Sequence, residues 1–344
     1  MSSVASTIFF KRSWWKFFLT FLLGGLVCYP LVRYVFISQE QTTQKRQIHE
    51  GLHGLINPLL DCQIYGKSEQ QQDFKPLSAM LRTLTADKIA QNKVEHLAVY
   101  FRDLNNGRWS GINEDENFYA ASLEKVPLML AYYKLTDTQS DVLDKTILYK
   151  GDVNRNLGQN IQPSKDLIAG RSYFVSDLIE QMIIYSGNNP FYLLWQQMPT
   201  DLFQETFRDI GVPIIFTPGT DYSISARNFS RFFRVMYNAT YLGREYSQKA
   251  LTLLTKTEFK DGLRSDIPES IPIAHKFGEH GNIPANDRLP GPYEMHDCGI
   301  IYQPQHPYFL CVMTSGKQMD DMEDVIKEIS HVVYQYVDQD YNKP

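Results

Sequence analysis

Residues 119–133 constrain this chain more than any other stretch. From Ser122 on, the segment carries helix formers and is apolar nearly all round, Glu124 apart. That pattern suits a helix running through the middle of a domain rather than along its surface. Pro127 cannot donate a backbone hydrogen bond, so the helix is predicted to begin only at about Ser122 or Leu123, where the first N–H groups lack intrahelical partners anyway. Lys125 then returns to the face of Ser122, and a hydroxyl and an amine come within hydrogen-bond reach. Such a spacing is common at solvated surfaces. Here the lysine is flanked by Leu123, Val126, Leu128, Met129 and Leu130, and a buried amine without a partner is costly. The pair reads as a serine nucleophile with a lysine base.

The 344 residues give room for one large or two ordinary domains, and with 43% apolar and 21% charged residues the chain buries a core. A net charge of −5 and the lack of a long basic run give no sign of a nucleic-acid partner. The four cysteines, Cys28, Cys62, Cys298 and Cys311, show neither the spacing of a metal site nor the number of a disulfide scaffold. No metal or other cofactor is expected. Cys298 and Cys311 fall on two predicted strands joined around residues 303–306, and a symmetric hairpin would set them opposite one another.

At the N-terminus, residues 1–16 carry Lys11, Arg12 and Lys16, and 17–32 are free of charge, with 34–37 extending the apolar run past Arg33. We read 17–37 as a single membrane-spanning anchor. A cleaved signal peptide is the competing reading, against which stand the length of the run and the lack of a small-x-small cleavage site. Charge bias places 1–16 in the cytoplasm and the rest outside the cell membrane. Residues 38–75, rich in Gln, Thr and Lys, read as a juxtamembrane stalk, and 76–344 as the folded domain. In that domain a helix is predicted to about Asn92, then a hairpin around Asn105-Asn106-Gly107. A mainly helical block runs from 120 to 260, with loops at 150–171 and 211–222. Ser176 is its expected helix cap at one point, and Asn189-Pro190 the start of another helix. Strands over 271–277, 295–302 and 308–314 and a last helix over 319–336 complete an α+β fold, whose sheet joins segments far apart in sequence.

Two further motifs stand out: Ser186-Gly187-Asn188 between two helices, and Lys276-Phe277-Gly278 on the first strand after the helical block. With Ser122-x-x-Lys125, in this order, they resemble the three signatures of the penicillin-recognising active-site serine hydrolases, most closely the class A β-lactamases. The resemblance covers roughly residues 76–336. It implies an antiparallel sheet flanked by terminal helices, with an inserted all-helical subdomain. It implies that Ser122 attacks a β-lactam or a cell-wall peptide amide, such as a peptidoglycan stem peptide, to form an acyl-enzyme. Lys125 would take the serine proton, Ser186 would pass it to the leaving nitrogen, and Asn188 would orient lysine or substrate. Lys276 would supply a second cation, Gly278 room for the substrate, and the N–H groups of Ser122 and Glu279 an oxyanion hole. Lys125 must be neutral to act. Holding a lysine of reference pKa about 10.4 deprotonated at pH 7 costs roughly 4.6 kcal/mol, at about 1.36 kcal/mol per pH unit, which burial and a neighbouring cation offset.

The chain also departs from the family's pattern. The glutamate that activates the deacylating water, in an E-x-x-x-N pattern after the second motif, is not found, and the loop at 211–222 looks short. Glu124 should point away from Ser122, and Asp221 is a weak substitute. Phe277 replaces a hydroxyl residue that meets a substrate carboxylate, and Cys298 fills the place of a carboxylate-binding arginine. These losses motivate an alternative, a binding or scaffolding module for a cell-envelope ligand that has lost turnover. His275, His280 and His296 are read as surface or sheet-edge residues without a role.

Overall fold

The computed structural model describes residues 54–57, 74–213, 222–281 and 293–341, all within one compact unit. Helix α1 (Lys75–Ala90) leads into an antiparallel hairpin of β1 (His96–Asp103) and β2 (Trp109–Ile112), turned at Gly107, whose positive φ of 75° suits a residue without Cβ. Later strands β7 (Ile273–His280), β8 (Tyr293–Ile301) and β9 (Tyr308–Gly316) join that hairpin in the order β2-β1-β9-β8-β7. Sheet closure therefore pairs the first strand with the last, Val99 opposite Val312. Strand β7 is left at the edge.

Both faces of the sheet are covered. The last helix, α8 (Met319–Tyr341), turns Met322, Val325, Ile326, Ile329, Val333 and Val337 onto one face with α1. This 3–4 spacing is the apolar stripe of a helix packed on a sheet. The other face carries the helical block. There α2 (Lys125–Leu135) is buried from Lys125 to Tyr133, as its lack of a polar face requires. Truncating Leu128, fully enclosed at its centre, would cost about 2–5 kcal/mol. Around α2 lie α3 (Val175–Ile184), α4 (Asn188–Gln197), α5 (Thr200–Ile210), α6 (Ala226–Tyr237) and α7 (Arg244–Leu254).

Several expectations change. Residues 54–57, assigned from sequence to the stalk, belong to the domain: Ile56 is in the core, Leu55 N–H donates to Gln248 and its carbonyl accepts from the Tyr302 hydroxyl. Ser176 is not a cap, since α3 begins at Val175 and Phe174 precedes it without a side-chain cap. Two small sheets were not foreseen. One pairs β3 (Asn117–Tyr119) with β6 (Ser223–Ser225), the other β4 (Thr146–Tyr149) with β5 (Arg171–Phe174). Strands of three or four residues are too short to show a period of two. Cys298 and Cys311 are direct cross-strand partners and are bridged. Among the described residues no helix is long and apolar enough to cross a membrane. The apolar stretch 17–37 lies outside them.

Candidate active site

Strand β3 delivers the chain to the serine. Ala120 N–H donates to the Tyr222 carbonyl (3.0 Å), anchoring the end of β3 beside β6. The chain then turns sharply, Ala121 taking a φ of 48°. Residues Ala121–Glu124 form a 3₁₀ turn, and the α-helix proper begins at Lys125, two to three residues later than the predicted start at Ser122 or Leu123. The tighter turn helps the chemistry, because at three residues per turn side chains i and i+3 eclipse one another. Ser122 Oγ and Lys125 Nζ lie 2.8 Å apart.

Lys125 is the hub. Besides Ser122, its Nζ reaches the Ser186 carbonyl at 2.6 Å, Asn188 Oδ1 at 2.8 Å and Ser186 Oγ at 3.3 Å. Asn188 Nδ2 donates to the Arg155 carbonyl (3.3 Å), which leaves its amide oxygen facing the lysine. Two of the neighbours, the Ser186 carbonyl and Asn188 Oδ1, can only accept. A neutral amine has two N–H groups for them and one lone pair left, which can accept a proton from a neighbouring hydroxyl. Burial drives the lysine towards that neutral form and pulls its pKa down to about 7, against the opposing pull of Glu124 and Glu279. Glu124, next in the chain, is pushed up to about 7, also by burial, with Lys125 opposing.

Ser186 takes a φ of 55°, a left-handed conformation that costs a non-glycine residue about 1–2 kcal/mol. In that conformation its carbonyl meets Lys125 and its hydroxyl meets Lys276, whose Nζ is 2.8 Å from Ser186 Oγ. The Lys276 amine also donates to the Phe277 carbonyl (2.7 Å) and sits 4.0 Å from the centre of the Phe277 ring. Its pKa lies well below the usual lysine value, first because of burial and then because of the Lys125 charge beside it. Ser186 and Lys276 are wholly enclosed, Lys125 is 1% exposed and Ser122 9%. Four residues from three separated segments thus meet at one point, with the serine hydroxyl at its open end.

Gly278 and Glu279 stand beside them, with contacts that the sequence did not indicate. A Cβ on Gly278 would lie 3.1–3.3 Å from Leu123 Cγ, Leu123 N and the Ala120 carbonyl. The missing side chain makes room for the serine turn itself. The carboxylate of Glu279 accepts from Asn160 N–H (3.2 Å), Asn160 Nδ2 (2.7 Å) and Ile161 N–H (2.8 Å). Phe277 turns to the opposite face and stacks on Phe259 at 4.3 Å. Cys298 pairs in register with Lys276 and bridges on to Cys311, so a disulfide fills that row. His275 and His296 are buried, where the sequence reading put them at the surface or the sheet edge. His275 is buried with Asp297 (2.9 Å), and His296 is buried with its Nε2 2.9 Å from the Tyr119 carbonyl. Asp221 lies outside the described residues.

The loop predicted at 150–171 holds this arrangement, a role not read from the sequence. Asn156 is buried, and its Oδ1 accepts from the N–H groups of Asn188 (2.7 Å) and Asn189 (3.3 Å), satisfying the first turn of α4. Asn189 in turn binds Arg155 N–H, Asn154 and Asp166. Gln159 Nε2 adds a second donor to the Ser186 carbonyl (3.0 Å). The run of Asn and Gln between 154 and 162 was the only available signal.

Fold and site together define an active-site serine hydrolase built on a Ser–Lys–Ser cluster. The model of the β-lactamase enzyme family matches residues 78–337, and the chain belongs to that family. Solved structures with the same fold include a point mutant of PBP-A as an acyl-enzyme complex with penicillin G, 20% identical over 77% of this chain and 97% of that one, at a TM-score of 0.65. A β-lactamase from Sphaerobacter thermophilus DSM 20745 is 19% identical over 76% and 97%, also at 0.65. The TLA-3 extended-spectrum β-lactamase is 20% identical over 76% and 99%, again at 0.65. No curated protein matches the sequence.

Proposed function

We propose that this protein is a membrane-anchored acyl-transfer enzyme that opens a β-lactam or a cell-wall peptide amide through an acyl-enzyme on Ser122. One observation carries the reading. The Lys125 amine has two carbonyl acceptors within reach and lies 2.8 Å from the Ser122 hydroxyl oxygen, so in its neutral form it can bond both acceptors and still take the serine proton. As Ser122 Oγ bonds to the substrate carbonyl carbon, its proton passes to Lys125 and on to Ser186, 3.3 Å away. Ser186 protonates the nitrogen as the C–N bond breaks, and the Lys276 amine steadies its oxygen. The N–H groups of Ser122 and Glu279 take the negative charge on the carbonyl oxygen, with Gly278 letting the serine turn approach the strand. Asn188 holds the lysine in register.

Deacylation is the slow half. It needs a base for water, and the family glutamate has no counterpart in the sequence, so the acyl-enzyme accumulates. Residues 17–37 hold the domain at the outer face of the cell membrane. A scaffolding module would have no use for two enclosed lysines with lowered pKa values around one serine, since each weakens the fold.

Intact-mass spectrometry after adding benzylpenicillin tests the reading. The expected result is one adduct, absent in Ser122→Ala, that persists for many minutes. An unmodified wild-type mass after prolonged incubation would refute it.

A further inference from the structure

The chain between Gln159 and Ile161 bonds to two sides of the site. On one side, Gln159 Nε2 donates to the Ser186 carbonyl at 3.0 Å. On the other, Asn160 and Ile161 make three hydrogen bonds to the Glu279 carboxylate on β7, at 3.2, 2.7 and 2.8 Å. One short strap thus ties the wall that carries the second serine to the edge strand beside the nucleophile. Its root is fixed: Asn156 caps α4 and Leu167 is buried. The carbonyls of His275 and Phe277 accept from the side chains of Thr257 and Lys276. Strand alternation gives the backbone of Glu279 the same outward direction, so a substrate aligned on this edge meets the strap. The closed form also carries a defect. Gln159 Oε1 is buried and finds no partner among the described residues, a state that opposes closure.

We propose that residues 159–161 are a latch over the active site, held shut by the Glu279 carboxylate, which must lift before an acyl substrate reaches Ser122. The proposal rests on the acyl-transfer reading. The latch, and not the chemistry alone, then limits acylation by bulky substrates.

A reversible lock tests this in the full-length protein. A Cβ at Gly281 would lie 2.5 Å from Asn160 Nδ2 and 3.4 Å from its Cγ, so Asn160→Cys with Gly281→Cys brings two thiols within bridging reach. Labelling of Ser122 by a fluorescent penicillin should be at least tenfold slower in the oxidised double variant than after reduction, with the wild type indifferent to either treatment. Asn160→Ala, which frees one tie, should label two- to fivefold faster than wild type. Equal rates in the two redox forms, or no gain in Asn160→Ala, would overturn the latch. Should wild-type Ser122 take up no acylating reagent at all, the acyl-transfer reading fails, and hydrogen exchange decides on the strap alone. A latch predicts protected Asn160 and Ile161 amides that exchange at least tenfold faster in Glu279→Ala. Unprotected wild-type amides would overturn it.

Discussion

Strand β7 carries buried polar groups on both of its faces, and the two faces behave differently. Towards the terminal helices, His275 lies against Asp297, whose Oδ2 also accepts from Leu263 N–H at 2.9 Å. Next to that pair Phe277 stacks on Phe259. Here cation-capable and anionic groups balance, no surface is left open, and the arrangement is cross-bracing between β7, β8 and the segment at Leu263. Towards the helical block, Lys276 and Lys125 both reach the Ser186 hydroxyl, two amines around hydroxyls and carbonyls. Both lysines lie below their ordinary pKa, chiefly through burial. Burial of a polar group therefore does not by itself mark function. The functional face differs in its two amines bonded to hydroxyl and carbonyl oxygens instead of a carboxylate, its strained Ser186 backbone, and its one hydroxyl at the edge of solvent.

Replacing Lys125 with methionine should break the functional face most severely. Acylation by a β-lactam should fall by about 10²–10⁴-fold, the range for loss of a general base, as read from the growth of the mass adduct. Ser186→Ala should follow, with about a tenfold to hundredfold loss, because Lys125 keeps its other acceptors. On the structural face, Asp297→Ala leaves His275 and Leu263 N–H without their buried partner. It should lower unfolding free energy by about 3–5 kcal/mol in urea titration, while protein that remains folded still acylates. Equal loss of acylation and stability in both sets would erase the distinction. Gly278→Ala tests the junction between strand and serine turn. The added methyl forces the turn back by a few tenths of an ångström, and about a tenfold slower acylation with little change in stability is expected.

Protonation sharpens the comparison further. Lys125 has a folded pKa of about 7 against a reference of 10.5, so between these values the unfolded chain binds more protons than the folded one. Stability should rise with pH across that window, and the Lys125 share of the rise should vanish in Lys125→Met. Parallel urea titrations at pH 7 and 9 on both proteins read this directly.

The strong parts of this molecule were readable in the sequence because their signals are local. An apolar helix with one proline, a serine and lysine three residues apart, and strands of eight or nine residues each carry their own pattern. The convergence of Ser122, Ser186 and Lys276 is long-range, and the family resemblance supplied it rather than periodicity. What stayed hidden was structure made by polar loops. Asn156, Gln159 and Asn160 act through one or two hydrogen bonds each to residues 27 to 119 positions away, and such bonds leave no period. Gly278 was read incompletely for a related reason: a missing side chain shows that something approaches, and only coordinates tell that the serine turn does. The buried His275 and His296 likewise owe their setting to partners on neighbouring strands.

The central claim is that an enclosed, neutral Lys125 takes the proton of Ser122, and the pH dependence of acylation tests it most directly. With adduct formation followed by intact mass between pH 5 and 9 at limiting β-lactam, the rate should rise about tenfold per pH unit below about 7 and level off above it, since burial sets the lysine there. A profile flat across the whole range, or one still climbing at pH 9 as an ordinary lysine would dictate, would contradict the account.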